Sequence, residues 1–239
     1  MNPLVLEHQA EGEQWNAEQV LAWTWEQFGA NASLASSFGA EDVALIDLAS
    51  RIGASFPTFT LDTDFLFPET YELISRIEKR YELNVERLRP KLSPQEQAEH
   101  FGEALWQHRP DHCCGIRKID PLKERLGSAS AWITGIRREQ SATRAHARKL
   151  EWDDKFGLVK LNPLADWSEG EVWAYIRSRR VPYNPLHDRS YPSIGCVHCT
   201  RSVLPDEDHR AGRWSGFAKT ECGLHPIEGV TKMSNSSTD

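Results

Sequence analysis

The chain has 239 residues, 39% apolar and 26% charged, which suits one large globular domain or one domain with an appended tail. A net charge of −7 and a pI near 5.7 argue against a nucleic-acid binder, which carries a basic excess. No stretch approaches the ~18 consecutive apolar residues of a membrane span, and Met1 to Gly12 lacks the pattern of a signal peptide, so the expected compartment is the reducing cytoplasm.

In chain order, Asn16 followed by Gln19 reads as a capping box opening a helix to Phe28, which Gly29 ends. Leu34 to Phe38 is apolar enough for a buried strand. Glu41 to Ile52 follows as a helix with Val43, Leu45, Ile46 and Ala49 on its core face. Phe56 to Leu61 is a second strand, and Pro68 to Tyr81 a helix with proline in its first turn. Asn84 to Leu88 and Trp132 to Ile136 are further strands, and Ser168 to Arg180 is a helix capped by Ser168 and Glu171. The region after Pro182 is rich in loops. Strands alternating with helices predict an α/β fold, a mostly parallel sheet with helices on both faces. Ligands then bind outside the carboxyl ends of the strands.

Three loops fall at such ends. In Ser36–Asp42 (SSFGAED), small residues around Ser37, Phe38 and Gly39 let backbone N–H groups approach an anion at a helix N-terminus. In Thr60–Asp64, the Leu61 main chain and the Thr63 hydroxyl could fix a base or ribose. Thr134–Arg144 places Gly135 and three arginines, Arg137, Arg138 and Arg144, just after a strand, where forked guanidinium groups suit phosphate or sulfate oxygens. Taken singly, each also reads as ordinary turn chemistry or a solvated basic loop.

Of five cysteines, four form two tight pairs, Cys113–Cys114 and Cys196–Cys199, and Cys222 stands alone. In a cytosolic protein such pairs read as metal ligands or redox groups before disulfides. Four thiolates are the usual ligands of a 4Fe–4S cluster and of structural zinc. Adjacent helical residues point ~100° apart and reach two irons of a cluster more easily than one zinc ion. A cluster is therefore expected, with zinc the runner-up and His198 a bystander.

SSFGAED, TLDT and TGIRREQSATR, with CC-x-x-RK, the distant CxxC and ECGLH, resemble the iron–sulfur branch of the sulfonucleotide reductases, from about Ser33 to Pro226. That family commonly carries Gly at the position of Asp64. The resemblance implies a Rossmann-like adenine-nucleotide α-hydrolase fold, with a reductase domain over residues 1–205 and a mobile C-terminal catalytic tail over 206–239. It implies reduction of adenylyl sulfate to sulfite and AMP in assimilatory sulfate reduction and cysteine biosynthesis. Cys222 is then the nucleophile, with Lys118 and His225 beside it. Ser37, Phe38, Gly39, Leu61, Thr63, Gly135, Arg117, Arg144, Arg210 and Arg213 hold the substrate, and Cys113, Cys114, Cys196 and Cys199 hold one 4Fe–4S cluster per chain. No other cysteine is left to resolve an S-sulfonate, which implies thioredoxin or a similar dithiol donor. No nucleic-acid or membrane partner is expected, and the chain is expected to form a homo-oligomer.

Two alternatives stay open: a cluster-bearing reductase of 3′-phosphoadenylyl sulfate, and a non-catalytic zinc-stabilised binding protein. An ATP-dependent sulfurtransferase or ligase of the related pyrophosphatase group is disfavoured, because SSFGAED lacks the SGGxDS pattern.

Overall fold

The computed structural model describes residues 2–217, 219 and 221–224. Two N-terminal helices, α1 (Pro3–Gly12) and α2 (Ala17–Phe28), lead into β1 (Ala32–Ala35). The α2 capping box is formed as expected: the Asn16 side chain accepts from the Gln19 N–H at 2.8 Å and the Gln19 side chain accepts from the Asn16 N–H at 2.8 Å. Then come α3 (Ala40–Arg51), β2 (Thr58–Leu61), α4 (Pro68–Tyr81) and β3 (Glu86–Leu88). Proline at N1 opens α4, where its missing N–H costs nothing.

The stretch between β3 and β4 (Ala131–Ile133) carries helices and no strand. It holds α5 (Pro94–Phe101), α6 (Leu105–His108) and α7 (Pro110–Cys114), and a π-helical turn, Gly115–Ile119, joins α7 to α8 (Asp120–Leu126). Then a hairpin, β5 (Leu150–Asp153) and β6 (Leu158–Leu161), precedes α9 (Glu169–Arg179), which is capped by Ser168 and Glu171 as the sequence predicts. From Pro182 onward the described residues contain only short 3-10 turns.

The six strands form one sheet in the order β3-β2-β1-β4-β6-β5, parallel except for the antiparallel edge strand β5. Alternation along the strands divides the core between the two faces. Ala32, Leu34, Ala131, Ile133, Val159 and Leu161 share one cluster with α2, α3, α4 and α9. Phe59, Trp132 and Leu158 face the other way, against Leu122 and Leu126 of α8. This is the expected α/β arrangement, a mostly parallel sheet with helices on both faces. Among the described residues no helix is long and apolar enough to cross a membrane.

All four strands start at a different residue from the one expected, and two of them also end early. β1 ends at Ala35 rather than Phe38, because Phe38 turns the chain with φ +59°. β4 stops at Ile133, short of Ile136, so Thr134 and Gly135 are already loop. Both shifts lengthen the loops at the carboxyl end of the sheet, where the main cleft opens.

Candidate active site

The three loops after β1, β2 and β4 line one cleft together with residues 192–195, 209–214 and 221–224. Helix α3 is anchored by Val43, Ala44, Leu45 and Leu48, all wholly buried, so its first turn is a fixed wall. Within SSFGAED the Ser37 N–H and hydroxyl both donate to Asp42 Oδ2, at 2.6 and 2.8 Å, and the Phe38 N–H donates to Ser36 Oγ at 3.1 Å. Burial pushes the Asp42 carboxyl up to about 6 in spite of those hydrogen bonds. Gly135 must be glycine here: a Cβ would stand 2.3 Å from Asp42 Oδ1 and 2.9 Å from the Glu41 Cβ.

In the second loop Asp62 is buried and accepts from the Tyr71 hydroxyl at 2.7 Å. Asp64 has φ +57°, a left-handed turn that suits glycine and that Asp tolerates through its local hydrogen bonds. Its N–H donates to Asp62 Oδ1 at 3.2 Å, so the departure from the family's Gly keeps the turn. Thr63, fully buried, places its Oγ1 3.3 Å from Cys196 Sγ.

Four cations converge on the cleft. Arg144 grips both carboxylate oxygens of Glu221, through Nε and Nη2 at 2.9 Å each, and Arg210 Nη2 adds a third contact at 3.2 Å. Burial, reinforced by Arg144 and Arg213, brings the Arg210 guanidinium down to about 10, while Glu221 pulls the other way. Arg213 Nη1 donates to Ser193 Oγ at 3.0 Å and its Nε is buried without a partner among the described residues. Its guanidinium lies 4.5 Å from the Trp214 ring and so close over Gly195 that a Cβ there would stand 2.4 Å from Nη2. Lys118 completes the set. Burial opposes its charge, but the negative charge of Cys196, Cys222 and Cys114 as thiolates outweighs that and holds its pKa above the ordinary lysine value.

Cys222 lines this cleft with Lys118, Arg210 and Arg213. Beside it, Gly223 adopts φ +82° and its carbonyl accepts from the Lys155 ammonium, while Leu224 packs into the Phe59–Leu122–Trp132 cluster. His225 lies outside the described residues.

Behind the cleft, Cys113, Cys114, Cys196 and Cys199 line one small pocket walled by Phe65, Trp106, His198 and Trp214. Burial and mutual proximity push the Cys113, Cys114 and Cys199 thiols up, Cys113 to about 11 and Cys199 to about 12. Arg117 beside Cys113 and Lys118 beside Cys114 and Cys199 pull the other way without offsetting burial. Arg117 Nη2 is buried there with no partner among the described residues. Soft donors and an orphaned N–H fit an anionic iron–sulfur group. Among the described residues no three His, Cys, Asp or Glu side chains gather closely enough to hold a single metal ion. A cubane asks for wider spacing, one thiolate per iron. Lys118 and Trp214 line both this pocket and the cleft.

Most of the site residues anticipated from sequence meet here: Ser37, Gly39, Leu61, Thr63, Gly135, Arg144, Arg210, Arg213, Lys118 and Cys222 line the cleft. Arg117 and Phe38 do not. Arg117, 1% exposed, donates to the Thr63 carbonyl at 3.0 Å, to Asp64 Oδ2 at 3.1 Å and to Gln97 Oε1 at 2.8 Å, so it ties the second loop to the cysteine pocket. Phe38 points into the core and only its backbone shapes the loop. Of the arginines after β4, Arg137 is spent on Glu41 and Glu139, and Arg138 on Glu13 and the Ala147 carbonyl. Sequence reasoning passed over Glu221 and Trp214. Glu221 lay inside ECGLH, and an acidic residue beside a reactive cysteine in a cationic site was the signal.

The sequence profile of the phosphoadenosine phosphosulfate reductase domain matches residues 31–202. The adenosine 5′-phosphosulfate reductase of Shouchella clausii is 50% identical over 212 residues, 88% of each chain. That of Halalkalibacterium halodurans is 48% identical over 86% of this chain and 90% of its own. A crystal structure of phosphoadenylyl-sulfate reductase from Candida auris, in complex with phosphate, superposes with a TM-score of 0.75 at 27% identity, covering 85% of this chain and 98% of that one. The FMN adenylyltransferase of Candida glabrata, 14% identical with a TM-score of 0.58, shares the fold alone.

Proposed function

The chain belongs to the phosphoadenosine phosphosulfate reductase family, and from that membership we propose that it reduces adenylyl sulfate to sulfite and AMP, with Cys222 as nucleophile. The observation that carries this reading is the position of Cys222 in one cleft with the three nucleotide-side loops and with Lys118, Arg144, Arg210 and Arg213.

The Cys222 thiolate attacks the sulfate sulfur. The bond from that sulfur to the bridging phosphate oxygen breaks, AMP leaves with the electron pair, and a cysteine S-sulfonate remains. Lys118 and the arginines offset the repulsion between thiolate and dianion and stabilise the charge that develops on the departing phosphate. Arg213, with its unpaired Nε, is the readiest donor. A dithiol, thioredoxin or a similar donor, then attacks the Cys222 sulfur. Sulfite leaves, the mixed disulfide is resolved by the second thiol, and the two electrons come from the donor. Free thiols of this kind suit a reducing cytoplasm.

Cys113, Cys114, Cys196 and Cys199 would hold a 4Fe–4S cluster, which when bound supplies a fixed charged group next to Lys118. The chain's own residues set the rest. Arg117 ties the second loop to the cysteine pocket, and Lys118 faces both pocket and cleft.

The test is anaerobic turnover with thioredoxin. Adenylyl sulfate should yield sulfite and AMP in equal amounts and be preferred to its 3′-phosphorylated form. Preference for the 3′-phosphorylated substrate would transfer the assignment to that reductase, and absence of sulfite from both would overturn it.

A further inference from the structure

Glu221 immediately precedes the nucleophile, yet its carboxylate is 4% exposed and faces away from solvent into a pair of guanidinium groups. Arg144 holds it in a forked, two-bond contact, Arg210 adds a third bond, and Thr143 Oγ1 donates at 3.4 Å. These contacts cross 77 and 11 residues of sequence, so they join the tail to the loop after β4 and to the Arg210 turn. Successive Cα atoms are ~3.8 Å apart, so fixing the carboxylate of one residue fixes the next residue to within a side chain's reach. On its other side Cys222 is held by the Gly223 carbonyl on Lys155 and by Leu224 in the apolar cluster.

The charges in the cleft match this placement. Lys118, Arg144, Arg210 and Arg213 bring positive charge to a cleft that Glu41 and Asp42 also line, and Glu221 offsets the Arg144–Arg210 pair directly.

We infer that Glu221 is a positioning residue. Its ion pairs with Arg144 and Arg210 latch the tail so that Cys222 lies in line with the substrate's sulfur. The inference rests on the reading of Cys222 as nucleophile. It concerns the first half-reaction alone, since thiol resolution needs no arginine pair in line.

The latch predicts an effect on rate without a loss of binding. Glu221→Gln keeps size and an acceptor oxygen but removes the charge. Single-turnover formation of the Cys222 S-sulfonate should slow about a hundredfold, the scale of a reacting group misplaced by about 1 Å. The dissociation constant for adenylyl sulfate should stay the same or fall. Glu221→Asp, which keeps the charge on a shorter arm, should recover part of the rate. Without substrate, amide exchange in the peptide around Cys222 should accelerate in Glu221→Gln, while that of α3 and α8 stays as in the wild type. An undiminished adduct rate in Glu221→Gln overturns the latch, as does unchanged exchange in the tail peptide. So does a loss of binding and melting temperature that parallels the loss of rate, with no recovery in Glu221→Asp. If wild-type protein forms no adduct on Cys222, the nucleophile reading fails instead, and the exchange comparison still decides whether Glu221 holds the tail.

Discussion

Arg213 has no carboxylate partner among the described residues, and its Nε is buried without a hydrogen bond. A charged group with one buried N–H left unpaired is costly unless an acceptor arrives, which supports the proposed role of Arg213 in holding the substrate. Removing one charge-assisted hydrogen bond costs about 1.5–3 kcal/mol, so Arg213→Ala should weaken adenylyl sulfate binding about ten- to 150-fold. Gly195→Ala should weaken it through the same group, because the added methyl would occupy the place of the guanidinium. Binding titration beside a thermal melt separates the cases. A large fall in melting temperature with unchanged affinity in Arg213→Ala would assign that arginine to structure.

At the scale of elements, the turn between β1 and α3 encloses a carboxylate that burial has shifted. Asp42 rises from 3.8 to about 6, with desolvation outweighing the Ser37 hydrogen bonds. Below pH 3.8 the carboxyl is protonated whether the chain is folded or not. Between 3.8 and about 6 only the unfolded chain ionises, so folding stability falls as pH rises, and above about 6 the loss is complete. The loss from this group is about 3 kcal/mol, at about 1.36 kcal/mol per pH unit. Asp42→Asn should therefore gain stability relative to wild type by about that amount between pH 4 and pH 7 in denaturant titrations. Parallel stability profiles would contradict it.

Caps, prolines and apolar spacing made α2, α3, α4 and α9 legible, because each signal is local. The β5–β6 hairpin was equally local but was missed. Its turn is built by Asp153 Oδ1, which accepts from the Lys155 and Phe156 N–H groups, and by Gly157 at φ +70°. The fates of Arg137 and Arg138 could not be read, because their partners Glu41 and Glu13 are distant in sequence and only the fold brings them near. The motif identified which residues carry charge, and the packing decided which charges remained for a ligand.

Across the whole molecule, the sheet's carboxyl end presents the loops after β1, β2 and β4, the helical run through the π turn carries Cys113, Cys114 and Lys118, and Cys222 lines the same cleft as those loops. The cysteine pocket and the cleft share Lys118 and Trp214, so ligand-set damage should reach substrate binding as well as folding. Anaerobically purified protein should be brown, with about four irons and four sulfides per chain. Serine at Cys113, Cys114, Cys196 or Cys199 should lose colour and activity together. Stoichiometric zinc with no visible absorption would replace the cluster with a structural ion.

The central claim is that Cys222 attacks the substrate's sulfur, and intact-mass analysis without reductant tests it most directly. Wild-type protein mixed with adenylyl sulfate should release one equivalent of AMP and stop, gaining a single sulfonate of about 80 Da that maps to the peptide containing Cys222, as a two-step covalent mechanism requires. Thioredoxin should then release sulfite and restore the original mass, and Cys222→Ser should bind substrate without forming the adduct. An adduct on Cys196 or Cys199, or normal turnover by Cys222→Ser, would contradict the account.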